Sequence, residues 1–225
     1  MLNNLRIAQF TIVILAKNHN PTIINPDFLR VNNIVPANWE LDKPIFTLEE
    51  LSQVIYTNGV SIVAQTDRVT FSQFIPADYT DSDIFISEIC NSYITVLPHV
   101  NYSGFGINFT GHILTDSVNE QSQYMLDFLL RSGDWKYFRG VHPNPYLTLV
   151  YNLDDCKITV SISPALVKDE DSGLDSAPVI LFQGNFDRDI SPGSGKIEIL
   201  KSKIADWKSD LSSYVSLVQS HLLPE

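Results

Sequence analysis

Two stretches far apart in the chain carry nearly the same run of residues: Asp27-Phe-Leu-Arg30 and Asp127-Phe-Leu-Leu-Arg131. Other landmarks repeat in the same order. Trp39 faces Trp135, Val54-Ile-Tyr56 faces Leu149-Val-Tyr151, and Thr70-Phe-Ser-Gln73 faces Leu181-Phe182-Gln183. An early strand, Arg6–Ala16, faces Val100–Leu114, and a long amphipathic helix ends each half. Self-similarity of this kind constrains a fold more than any single motif, because each copy must be a unit that buries its apolar face against a neighbour. It points to an α+β protein of two diverged β-α-β-β-β-α units, residues 1–97 and 98–225. These would have mainly antiparallel sheets and a long C-terminal helix, integrated into one domain. The alternative is one irregular α+β domain whose hairpins look alike.

Local signals fill in the elements. Arg6–Ala16 is rich in β-branched residues and reads as a buried strand. Pro26–Asn32 reads as a short helix with proline at its start. Thr47-Leu-Glu-Glu50 matches a capping box and predicts one helical turn. Strands follow near 53–57, 60–65 and 68–74, with Asn58-Gly59 as a tight turn. Helical spacing over Asp81–Leu97 ends at Pro98. Val100–Leu114 is a strand bent near Gly104 and Gly106, and Ser117–Arg131 is an amphipathic helix. Tyr146–Asn152 and Lys157–Ser163 form a hairpin, and Pro178–Phe186 is the last strand. Ile197, Leu200, Ile204, Trp207, Leu211, Tyr214, Val218 and Leu222 make one apolar stripe on a closing helix.

Charge narrows the function. The 225 residues carry 15 Lys+Arg against 26 Asp+Glu, a net charge of −11. Such a balance disfavours nucleic acid and anionic membranes as partners. Lys196, Lys201, Lys203 and Lys208 alternate with Glu198, Asp206 and Asp210, as on a solvated helix face. The apolar run Phe10–Ala16 is too short for a secretory signal or a membrane span. Cys90 and Cys156 fall in buried segments and suit a reducing compartment, with a single disulfide as the alternative. A cytoplasmic location is expected, and the sequons at Asn101 and Asn108 are then chance matches.

Chemistry is sparse. His19, His99, His112, His142 and His221 show no metal-ligand spacing, so no metal and no cofactor is expected. Asp169, Glu170, Asp171 and Asp175 lack the distal glutamate of a calcium loop and read as a solvated insertion. Neither cysteine has an evident base or cation beside it in sequence. Ser191-Pro-Gly-Ser-Gly195 lacks the lysine of a phosphate loop. Asp187 and Asp189 share one face of a strand end.

Two function classes remain. The first is a non-catalytic protein-interaction or assembly module, whose partner is another protein or a second copy. Its candidate interface is the loop with Trp135, Tyr137, Phe138 and Tyr146, which could instead plug the core. The second is a small-ligand binder or enzyme with a pocket between the sheet and the C-terminal helix. It would use Tyr102, Asn108, His112, Asp187 and Arg188. No catalytic set is expected.

Asn20-Pro21, the segment Tyr102–Asn108 (YSGFGIN), and Phe186-Asp187 followed by the Trp207 helix carry one further signal. In these parts, and in layout over most of its length, the chain resembles a sporadically distributed family of uncharacterised bacterial proteins. That resemblance implies a bacterial source and carries over no activity.

Overall fold

The computed structural model describes residues 5–131, 133–168, 176–190 and 195–223. Among the described residues nine strands form one continuous antiparallel sheet. They are β1 (Arg6–Lys17), β2 (Phe46–Thr47), β3 (Leu51–Ile55), β4 (Val60–Gln65), β5 (Arg68–Phe74), β6 (Asn101–Leu114), β7 (Leu147–Asn152), β8 (Lys157–Val167) and β9 (Ala177–Asp189). Their order across the sheet is β2-β3-β4-β5-β1-β6-β9-β8-β7. Five α-helices accompany it among the described residues: α1 (Pro26–Val31), α2 (Ile86–Val96), α3 (Val118–Tyr124), α4 (Lys196–Ala205) and α5 (Trp207–Leu217). The α+β class is therefore as expected.

Alternation along the strands explains the layering. Phe10, Ile12 and Ile14 of β1, Val69 and Phe71 of β5, Phe105, Ile107 and Phe109 of β6, and Phe182 and Phe186 of β9 are buried. Successive strand residues point to opposite faces, so these line one side. Burying each such side chain contributes roughly 1.5–3 kcal/mol. Helices cover that side: Trp207 and Tyr214 of α5 pack on Phe10 and Phe109, and Tyr93 of α2 packs on Phe71. The opposite face presents half-buried polar residues, among them Thr11, Thr70, Ser72, Asn108, Thr110, Ser161 and Asn185. Thr11 and Ser72 hydrogen-bond across it at 2.9 Å. Such a split fits an antiparallel sheet with one wet face.

Three local expectations change. Thr47–Glu50 is not a helical turn. β-branched Val54 and Ile55 pair with β4, and the Thr47 hydroxyl shares a 3.1 Å hydrogen bond with Ser52 instead of capping a helix. The helix after β6 is regular only to Tyr124 and widens into a π turn over Met125–Leu129. At its start the Ser117 hydroxyl accepts from the Glu120 N–H, and the Glu120 carboxylate accepts from the Asp116 N–H. The closing stripe is also divided. α4 stops at Ala205 and α5 starts at Trp207, with Asp206 between them in a non-helical backbone state. Leu200 and Ile204 are buried on α4, which lies against α2, while Trp207 and Tyr214 reach the sheet. The break lets the two segments face different supports. β6 has its irregularity where glycines suggested it, as a shifted register against Leu15 and Ala16.

Close approach requires glycine at position 184. A Cβ on Gly184 would lie 2.6 Å from the Tyr214 ring, so that ring can lie on β9 only because the position is bare. The Tyr214 hydroxyl then donates to the Phe182 carbonyl at 2.8 Å.

Among the described residues no helix is long and apolar enough to cross a membrane. Cys90 and Cys156 are free and buried. The acidic loop carboxylates and Ser191–Ser194 lie outside the described residues.

Candidate interaction surface at the sheet edge

Of the five residues singled out for a ligand pocket, Asn108 and Asp187 come together over Gly106, where a Cβ would lie 3.6 and 3.7 Å from their side chains, and the others lie elsewhere. Tyr102 is buried, and its hydroxyl donates to the Leu97 carbonyl at 2.9 Å, tying the end of α2 to β6. Burial pushes that hydroxyl's pKa well above the ordinary range. Asn108 stays within the sheet, donating to Gly106 and Thr11 carbonyls at 3.3 and 3.4 Å. His112 shares the wet face with Asn108; burial, then the charge of Arg6, lowers its pKa. Asp187 pairs across the sheet with Gly106, six residues along β6 from His112. That separation is roughly 20 Å.

Asp187 and Arg188 are sequence neighbours on opposite faces. Asp187 lies 3.5 Å from Lys157 on the wet face. Arg188 turns toward α5 and grips Asp210 through two bonds of 2.8 and 2.7 Å. Burial pulls the Arg188 pKa down, but the hydrogen bond and charge of Asp210 raise it above its ordinary value. The pair, with each side chain 10% exposed, fastens α5 to β9. The cavity beside it, between the β7–β8 hairpin and α5, is about 130 Å³. A shallower basin of about 370 Å³ at the end of β9 is lined by Asp154, Asp155, Asp187, Asp189 and Arg188. Among the described residues no three His, Cys, Asp or Glu side chains are grouped to hold a metal ion.

The aromatic loop behaves differently. Phe138 is 73% exposed and Tyr146 76%, and Trp135 and Tyr137 are also exposed, so these rings do not plug the core. They are nonetheless held in place. Lys136 bonds Asp127 at 2.5 Å, anchoring the loop to the helical segment before it. Tyr137 packs on His142 with ring centres 4.2 Å apart. Phe138 and Val141 exchange two backbone bonds of 3.1 Å around Arg139-Gly140. Both turn residues have positive φ, 54° and 80°, as in a tight hairpin turn, and Gly140 adopts that state without strain. The Arg139 guanidinium lies over the Phe138 ring at 5.4 Å. A large apolar display is thus offered to solvent on an ordered turn.

The loop leads directly into β7, the last strand of the sheet, which pairs on one side with β8 and, among the described residues, has no strand on the other. Edge strands are ordinarily protected by charge, proline, shortness or a covering segment. The opposite edge has these devices. β2 is two residues long, is preceded by Asp42-Lys43-Pro44 and followed by Glu49-Glu50, and Leu41 bridges to Tyr56. β7 reads Leu-Thr-Leu-Val-Tyr-Asn, six residues without charge or proline, with Pro143 and Pro145 before it and Asp154-Asp155 after it. Val150 is exposed, and Leu147 and Leu149 are only half-buried. A groove of about 470 Å³ between the hairpin and α5 runs alongside, walled by Tyr151, Leu153, Ile158 and Leu217.

The sequence singled out the loop by its density of rings. It did not single out β7, whose signal was the missing charge on a strand that turned out to be an edge. Comparison with known families finds no family model that matches the chain, and comparison with curated proteins finds no similar sequence.

Proposed function

We propose that the chain is a non-catalytic protein-interaction and assembly module that docks its partner on the β7 edge and the adjoining aromatic loop. The observation that carries this reading is the contrast between the two sheet edges: one is blunted and bridged, the other is uncharged and flanked by ordered, exposed rings. An unprotected edge supplies backbone donors and acceptors for an added strand, and rigid aromatic anchors supply buried area at low entropic cost. The ligand-binder alternative has less behind it. The cavity beside Arg188 and Asp210 is about 130 Å³, below the few hundred Å³ of small-molecule sites, and the basin of about 370 Å³ and the groove of about 470 Å³ reach that size but are wide open to solvent.

The same reading takes the fold as two diverged β-α-β-β-β-α units, 1–97 and 98–225, joined edge to edge. Strand order supports it. β1 and β6 are central neighbours, each flanked outward by the last, middle and first strand of the hairpins that follow it. Pairing registers support it as well. Ile12 pairs with Phe71 as Gly111 pairs with Phe182. In that frame Phe10, Thr11 and Ile14 correspond to Phe109, Thr110 and Ile113, and Ser61 and Ile62 correspond to Ser161 and Ile162. On this account the first unit carries its own edge cover, β2, and the second unit leaves the same place to a partner. Two buried free thiols support a reducing compartment such as the cytoplasm.

A loop variant tests the function. Wild-type chain and the F138A/Y146A variant are compared by size-exclusion chromatography of extracts from cells that express them. The wild type should elute above monomer size and the variant as a monomer. Identical elution of the two at monomer size would count against the reading.

A further inference from the structure

The strand β7 is polarised in a way that selects its partner. Before it, the exposed turn carries Arg139 with Phe138, and Tyr146 stands exposed at the strand's threshold. After it, Leu153 is exposed and Asp154-Asp155 form the hairpin turn to β8. The turn before β7 thus presents an arginine with aromatic rings, and the turn after it presents a leucine with two carboxylates, of which Asp155 lies 3.8 Å from Arg188 and Asp154 is left for a partner. A segment that pairs antiparallel with β7 and matches these ends must be aliphatic and acidic beside Arg139 and Tyr146. It must be aromatic and basic beside Leu153 and Asp154. β7 itself, turned end for end, has that order.

We propose that the occupant of this edge is a second copy of the same chain, its β7 running antiparallel to the first across a two-fold axis. This rests on the reading of the β7 edge as the docking surface and names its partner. Two-fold pairing makes each favourable contact twice: Tyr146 against the partner's Leu153, and Arg139 toward the partner's Asp154. A parallel arrangement would set Arg139 beside Arg139 and Asp154 beside Asp154, which like-charge repulsion disfavours. The contrast matters in a chain of net charge −11, whose bodies otherwise repel. The product is one sheet continuous through both copies, with each aromatic loop folded over the junction.

The test is sedimentation velocity on the purified full-length chain from micromolar to millimolar concentration, with hydrogen exchange on the same samples. A dimer is expected whose formation slows exchange in β7. T148K/V150K places two charges on exposed edge positions and should weaken the dimer by about tenfold or more. Thr148 and Val150 are both exposed, so the fold should tolerate the change. The charge swaps R139D and D154K should each weaken the dimer, and the double variant should recover it. A chain that stays monomeric throughout overturns the second-copy inference and leaves the edge open to a different protein. A dimer that ignores T148K/V150K and leaves β7 exchanging freely overturns both the inference and the edge reading beneath it.

Discussion

Phe10 and Phe109 face each other across the β1–β6 pairing, with ring centres 5.0 Å apart and planes inclined by 26°. Each ring also meets α5, Phe10 through Trp207 and Phe109 through Tyr214. This aromatic cluster sits where the two halves of the sheet join, and it couples the seam to the closing helices. Phe10→Ala and Phe109→Ala should each cost about 3–5 kcal/mol. The double variant should cost less than the sum, because the rings share one cavity. Urea unfolding monitored by circular dichroism measures both numbers. Additive losses would mean that the rings do not act as one cluster.

Arg188 and Asp210 form a pair of which neither member tolerates isolation. Asp210→Ala leaves a guanidinium about nine-tenths buried with only the more distant Asp155 carboxylate, 3.8 Å away, beside it. It should destabilise by about 3–5 kcal/mol. Replacing both partners by apolar residues of similar size, R188M/D210L, should restore much of the loss. Thermal melts of the three variants check the order, and equal losses in the single and double variants would contradict it.

Loop residues should separate stability from association. Phe138 and Tyr146 are exposed and make little of the core, so F138A/Y146A should shift unfolding free energy by no more than about 0.5 kcal/mol. At a concentration low enough for both chains to be monomeric, an unchanged melting curve beside an assembly lost at higher concentration is the expected pattern. A large drop in stability would return the rings to a structural role.

Two buried histidines set a pH dependence. His19 bonds to the Tyr93 hydroxyl, and burial lowers its pKa from the ordinary 6.5. Burial, then Arg6, lowers that of His112. A histidine with a folded pKa below its unfolded value contributes fully above the unfolded pKa. That contribution falls as pH drops below about 6.5, because the unfolded chain takes up the proton first. Melting temperature should therefore decline from pH 7.5 toward pH 5. H112N should flatten part of that slope, and an unchanged slope in the variant would remove His112 from the account.

The hairpin strands were legible because β-branched alternation and turn residues act locally, as at Val60–Gln65 and Arg68–Phe74, whereas the pairing of β1 with β5 and β6 joins distant segments and was not. The Thr47–Glu50 capping box misled because pairing with β4 outweighs a single helical turn. The break at Asp206 was hidden because the stripe Ile197–Leu222 is continuous in spacing, and only the separate supports of α4 and α5 divide it. Asp187 and Arg188 looked like one polar site in sequence, yet strand alternation sends them to opposite faces. The aromatic loop was visible as composition. Its exposure was not, since the same rings serve equally well as a plug, and neither was the bare edge beside it, which depends on which strand ends the sheet.

Photo-crosslinking in living cells tests the interaction claim most directly. A benzophenone amino acid is placed at position 138 and, as a control, at exposed Glu49 near the blunted edge. The account predicts a discrete adduct from position 138, of twice the chain mass for self-pairing, and none from position 49. No adduct at position 138, or equal adducts at both, would contradict it.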